Sequence, residues 1–126
     1  MKILSVQALR GPNIWSVNRK KLIQMRLDLE EMEQRPTNKI PGFKERLEAM
    51  FPTMIEHRCS EEKRGGFFSR IERGTWMGHV IEHIALETQT LAGMETGFGR
   101  TRETKTPGIY NVVFSYTEEK VGLFAA

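Results

Sequence analysis

Between Leu22 and Leu29 apolar and polar residues alternate, with Ile23, Met25, Leu27 and Leu29 set against Gln24, Arg26 and Asp28. A period of two predicts a strand with one buried and one wet face. Ile3 to Leu9 is short and mostly apolar, and predicts a strand before it. Arg10-Gly11-Pro12-Asn13 between them is turn chemistry. Glu30 to Pro36 is charged and predicts a loop with room for one helical turn. From Pro41 the period lengthens: Phe43, Leu47, Met50 and Phe51 fall at helical spacing. Pro41 suits the start of a helix because its missing N–H is harmless there, and Pro52 ends the element. Met54 to His57 fits either class. Gly65-Gly66 interrupts the chain before a short helix around Phe67 to Arg73, which Gly74 stops. Thr75 is a good N-cap for a longer helix running to about Ala92, before Gly93. Gly97-Phe98-Gly99 leads into a polar loop rich in Arg and Thr, and Pro107-Gly108 is a turn. Ile109 to Tyr116, β-branched and aromatic, reads as a buried strand.

At least three strands mixed with helices predict an α+β fold, a small mixed or antiparallel sheet with helices packed mainly on one face. The 126 residues suit one domain, and no repeat or linker divides them, so residues 1–126 read as a single domain. The chain ends Val121-Gly122-Leu123-Phe124-Ala125-Ala126, small and apolar. That ending reads as a helix cut after its first turn and predicts a longer parent protein.

Composition narrows the function classes. A hydrophobic fraction of 39% with 28% charged residues belongs to a globular protein. No run approaches the roughly 18 apolar residues of a membrane span, so no membrane partner is expected. Nothing after Met1 resembles a signal-peptide core, and the single cysteine, Cys59, excludes an internal disulfide or a Cys-rich zinc ribbon. Both features fit a reducing cytoplasm. A net charge of +3 and a pI near 9.2 are too weakly basic to imply nucleic acid.

The long helix contains His79-Val80-Ile81-Glu82-His83, an H-x-x-E-H pattern, the inverse of the zincin helix motif. Residues four apart on a helix share a face, so two imidazoles so placed can bind one zinc ion. Glu82, on the flank of that face, can take a proton from an attacking water and pass it to a leaving group. At about 100° per residue, with His79 at zero, Glu82 falls at roughly 300° and His83 at roughly 40°. Met77, Val80, Ile81, Ile84 and Leu91 fall at roughly 100–200°, which predicts an apolar face for the core and a His/Glu face turned to a cleft. The alternative is a hydrogen-bonded polar cluster on a packed helix. Two histidines and a glutamate would also accept iron or manganese.

A catalytic zinc needs a third protein ligand. Glu87 lies on the same face but about 12 Å along the axis from His79, so it suits a hydrogen bond to His83 better than the metal. His57 and the pair Glu118 and Glu119 are the other candidates, or the ligand lies beyond Ala126. Arg100, Arg102 and Glu103 follow the glycines of the polar loop and are candidates for substrate contact, because Arg pairs bidentately with carboxylates. No Gly-Lys-Ser/Thr follows, so this is no Walker loop. Arg19-Lys20-Lys21 reads as a solvated strand entrance, Trp15 and Trp76 as core or interface, and Cys59 as an inert thiol.

Several stretches together resemble the N-terminal domain family of cyanophycin synthetases. They are Met1-Lys2-Ile3-Leu4, Leu9-Arg10-Gly11-Pro12-Asn13 with Trp15 and Ser16, and Arg19 to Ile23 followed by Met25 to Glu30. Arg35-Pro36, Ile40-Pro41-Gly42-Phe43 and Arg64-Gly65-Gly66-Phe67 continue the likeness. Met77 to Glu87, Gly97 to Thr104 and Thr106-Pro107-Gly108 with Tyr110 to Val113 complete it, so that it covers essentially the whole chain. The resemblance implies a parent enzyme that polymerises aspartate and arginine into cyanophycin. Such an enzyme uses ATP and magnesium in an ATP-grasp domain and a Mur-ligase-like domain, neither of which fits in this chain. It implies that this domain binds the polymer and carries a zinc peptidase-like site that cuts polymer into primers. His79 and His83 match the expected metal ligands and Glu82 the catalytic glutamate. The implied partners are the polymer, the remaining domains of the synthetase and further copies of it. The alternative is a non-catalytic polymer-binding or oligomerisation domain of the same enzyme.

Overall fold

A computed structural model describes residues 1–10, 21–57, 64–94, 99–116 and 119–125. The expected turn at 11–13, Trp15, Cys59 and Glu118 lie outside the described residues. The chain divides into two compact units. One is built from Met1–Glu30 and Gly78–Ala126, the other from Glu31–Met77.

The first unit is organised by four antiparallel strands: β1 (Lys2–Arg10), β2 (Lys21–Asp28), β3 (Gly99–Glu103) and β4 (Ile109–Ser115). Their spatial order is β1-β2-β4-β3, so β2 and β4, which carry most of the buried strand residues, lie in the middle. The fold is mixed α+β with an antiparallel sheet, as the pattern predicts. Register explains the core. Ile23 pairs with Phe114 and Met25 with Val112, and cross-strand partners share a face. On that face Ile23, Met25, Leu27, Val112, Phe114 and Tyr116 pack with Ala85 and Leu86 of a long helix, α3 (Met77–Leu91). The other face is not wholly wet: Leu22 and Val113 are buried together, with Leu9 against them. A last helix, α4 (Glu119–Ala125), lies against β1.

The second unit holds α1 (Phe43–Met50), α2 (Gly66–Arg73) and short 3-10 turns at Thr37–Lys39 and Pro52–Glu56. A further 3-10 turn over Glu30–Gln34 is the helical turn for which the charged segment left room. Leu47, Met54, Phe67, Phe68 and Ile71 are its buried apolar side chains. Thr37 is buried with them and fastens the end of α2. Its hydroxyl donates to the Ile71 carbonyl at 2.7 Å and accepts the Thr75 N–H at 3.0 Å. Helix α2 opens after Gly65 and closes on Gly74, both with positive φ, as the glycine punctuation predicts.

Some expectations are corrected. The Arg/Thr segment from Gly99 is an edge strand, not a loop. Both of its faces are polar or small, so apolar alternation could not reveal it. Helix α1 begins at Phe43 after left-handed Gly42, with Pro41 just outside it, its carbonyl accepting from Arg46 Nη1. Met50 is 70% exposed: a helix of two turns buries its centre, Leu47, and little else. Trp76 is 40% exposed and so belongs to no core. Thr75 stands two residues before α3, its backbone paired both ways with Thr37.

Candidate functional site

Helix α3 meets the sheet along small residues. Around Gly78 an added Cβ would lie 3.0 Å from Thr101 Cγ2 and would have to push it back, so glycine eases the close approach of the helix to β3. The sheet-facing stripe is therefore Gly78, Ile81, Glu82, Ala85, Leu86 and Gln89, roughly 200–340° on the wheel that places His79 at zero. This corrects the expected apolar face in part: Val80 is buried and Ile81 packs against the core as expected. Large side chains such as Leu91 weighed most in that expectation, yet Leu91 is 61% exposed, while glycine and alanine make the close contact.

The correction matters for Glu82, which is only 7% exposed and turned to β3, not to an open cleft. Thr101 donates its hydroxyl to Glu82 Oε2 at 2.6 Å. Gly99, two residues earlier on the same face of the strand, leaves the room that the rest of the carboxylate fills. Burial pushes the Glu82 carboxyl up to about 7, while the Thr101 hydrogen bond and the Arg100 charge pull it down. A carboxyl held there can accept and return a proton near neutrality.

On the same helix, three residues before Glu82 and directly after it, His79 and His83 hold their Nε2 atoms 3.1 Å apart, with the rings edge to face and their centroids 4.7 Å apart. Two arrangements of protons suit this contact. One imidazole can donate to the other, or both lone pairs can face a single cation. Two nitrogens each about 2.0–2.1 Å from a tetrahedral zinc would lie roughly 3.3 Å apart, so the pair fits two positions of such a site. Among the described residues, no group of three or more His, Cys, Asp or Glu side chains is gathered for a metal. Glu87 is buried one turn beyond His83 on the same helix. His57 belongs to the other unit, its ring 6.1 Å from that of Phe67.

Arg100 and Arg102 are exposed on β3 and alternate with Thr101, so they lie on the sheet face opposite Glu82. Register extends that row across three strands: Arg102 pairs with Asn111, and Asn111 with Arg26. Glu103 Oε1 accepts the Gly108 N–H at 3.1 Å and so ties the β3–β4 turn. Sequence reasoning missed Gly99 and Thr101 as partners of Glu82, and Arg26 and Asn111 as neighbours of Arg102. Nothing in the linear pattern marks them, because Thr101 and Glu82 are nineteen residues apart and meet only through the fold.

Among the described residues, no helix is long and apolar enough to cross a membrane. A family model described as the cyanophycin synthase-like N-terminal domain matches residues 24–126. The chain is 62% identical over 125 residues to a cyanophycin synthetase of Geminocystis herdmanii and 60% identical to one of Synechocystis sp.. A third, from Crocosphaera subtropica, is 58% identical. Each match covers 99% of this chain and 14% of the relative. The matched stretch includes α3 and all of β2, β3 and β4 except the first residues of β2, so the chain belongs to the family of cyanophycin synthase-like N-terminal domains.

Proposed function

We propose that this chain serves as the N-terminal domain of an ATP-dependent cyanophycin synthetase. There it binds the polymer and hydrolyses it at a zinc peptidase-like site, producing primers for further synthesis. The observation that carries the reading is the convergence of His79 and His83 Nε2, 3.1 Å apart, on the helix that carries the buried Glu82. His79 and His83 would hold the metal, with Glu87 behind them. When bound, zinc would supply Lewis-acid polarisation of the scissile carbonyl. The protein's own part is proton transfer: Glu82 takes a proton from the attacking water and returns it to the leaving amine. The parent enzyme's ligase chemistry, with its ATP and magnesium, belongs to domains outside this chain. The setting of the reading is the cytoplasm, with the rest of the synthetase and further copies of it as partners.

The test is zinc content and cyanophycin cleavage measured together on the full-length synthetase, wild type against Glu82→Gln. Stoichiometric zinc in both, with cleavage reduced about a hundredfold or more in the variant, is the expected outcome. Cleavage that survives the substitution would remove Glu82 from the mechanism.

A second reading, a polymer-binding module, is favoured by the row Arg26–Asn111–Arg102 with Arg100 beside it. Neighbouring strands are about 4.8 Å apart, so the row spans some 10 Å of sheet and can meet successive carboxylates of an extended chain. Arg100→Ala with Arg102→Ala should weaken polymer affinity roughly tenfold, more at low salt than at high. Unchanged affinity would exclude this face. The two readings occupy opposite faces of the sheet and can hold together.

A further inference from the structure

Strand β3 is shaped around one side chain of α3. Gly99 and Thr101 occupy alternate positions on β3 and so face the helix together. Both are fitted to Glu82, each in a different way. Thr101 Oγ1 lies 2.6 Å from Glu82 Oε2, and the longer 3.4 Å approach of the same hydroxyl to the Gly78 carbonyl leaves its proton with the carboxylate. Gly99 is fitted by omission. A Cβ there would lie 2.7 Å from Glu82 Cγ and 2.8 Å from Cδ, with Oε1 closer still. Gly99 is not among the glycines with positive φ, so space, not backbone conformation, is what calls for glycine at this position.

We infer that Gly99 and Thr101 are positioning residues for Glu82, together fixing the direction of its carboxylate. The inference rests on the reading of Glu82 as the proton-transferring group. Thr101 holds Oε2, so proton exchange falls to Oε1, the oxygen lodged over Gly99. A glutamate side chain has three rotatable bonds and loses much freedom when it is fixed. A hydrogen bond that settles its rotamer beforehand raises the fraction of encounters in which Oε1 is in place. The close approach at Gly78 serves the same end, since it sets the distance from α3 at which Glu82 reaches Thr101.

The test uses the full-length synthetase with Thr101→Val, Thr101→Ser, Gly99→Ala and Glu82→Gln. Valine keeps the shape of threonine and removes the hydroxyl, whereas serine keeps the hydroxyl. Thr101→Val should lower kcat for polymer cleavage roughly tenfold, with KM and zinc content unchanged. Thr101→Ser should restore most of that loss, which a mere packing defect would not allow. Gly99→Ala should lower kcat in the same way by displacing Oε1. A wild-type kcat in Thr101→Val beside an inactive Glu82→Gln would overturn the inference and leave the functional reading intact. Cleavage retained in Glu82→Gln would instead overturn that reading. A readout independent of activity is the crystal structure of Thr101→Val. A Glu82 carboxylate rotated away from its present position supports the inference, and one left in place overturns it, whatever the activity.

Discussion

Thr37 shows what a single buried hydroxyl does in this protein. It is 2% exposed, and its side chain and backbone together make three short contacts with the end of α2 and the segment after it. The hydroxyl donates to Ile71 O and accepts from Thr75 N, while Thr37 N donates to Thr75 O at 2.8 Å. Gly74 N also donates to the Ile71 carbonyl, so that oxygen keeps a partner if the hydroxyl is lost. Thr75 N–H would lose this acceptor in a place closed to water. Thr37→Val preserves volume and should therefore cost about 1–3 kcal/mol, through loss of the two buried hydrogen bonds of the hydroxyl. Thr37→Ser should cost less, because it keeps the oxygen and gives up only a methyl group. Urea denaturation of the three proteins tests this. A valine variant as stable as wild type would show that water or a backbone shift satisfies Thr75 equally well.

At the scale of elements, the sequence speaks where one periodicity governs one environment. Strand β2 was legible because Ile23, Met25 and Leu27 alternate with polar residues and the sheet buries that face. The alternation fails only at Leu22, which the opposite face buries against Val113. Helix α2 was legible from Gly65 and Gly74, whose positive φ values are a local backbone demand. Helix α3 was legible in extent but only partly in orientation. Its sheet-facing stripe is built from Gly78, Ala85 and Gln89 as much as from large apolar residues, and a hydrophobic count gives those positions little weight. Strand β3 carries no apolar alternation, because its helix-facing positions are Gly99 and Thr101, which receive a carboxylate and do not fill a core. The same cause hid half of the candidate site. His79, Glu82 and His83 share one helix and were visible as a spacing, whereas their supporting residues come from a strand that only tertiary structure brings beside them.

For the molecule as a whole, the uneven cover of the sheet has consequences. Ile3 and Val6 pair with Leu27 and Met25, which places them on the apolar, helix-bearing face. Both are nonetheless exposed, Ile3 at 55%, and Leu4 beside them is 47% exposed. The packed core of this face gathers Ala8 from β1, so apolar surface toward the start of that strand is left to solvent. β1 is also an outer strand of the sheet, and unprotected edges invite pairing with another chain. Two features blunt it, the register shift between Ile3 and Ser5 and the charged end where Met1 and Lys2 meet Glu30. Neither covers Ile3 or Leu4. The curated relatives are much longer than the stretch this chain matches, so in a synthetase other segments are available to lie over this strand. The 126-residue chain on its own should therefore self-associate as its concentration rises. Sedimentation velocity should show the mean mass increasing across the micromolar range, and Leu4→Lys should hold the chain as a monomer at the same concentrations. Far-UV circular dichroism unchanged by Leu4→Lys would tie that difference to the surface and not to unfolding. A wild-type chain that stays monomeric throughout would mean that the bulge and the charged end protect the edge sufficiently by themselves.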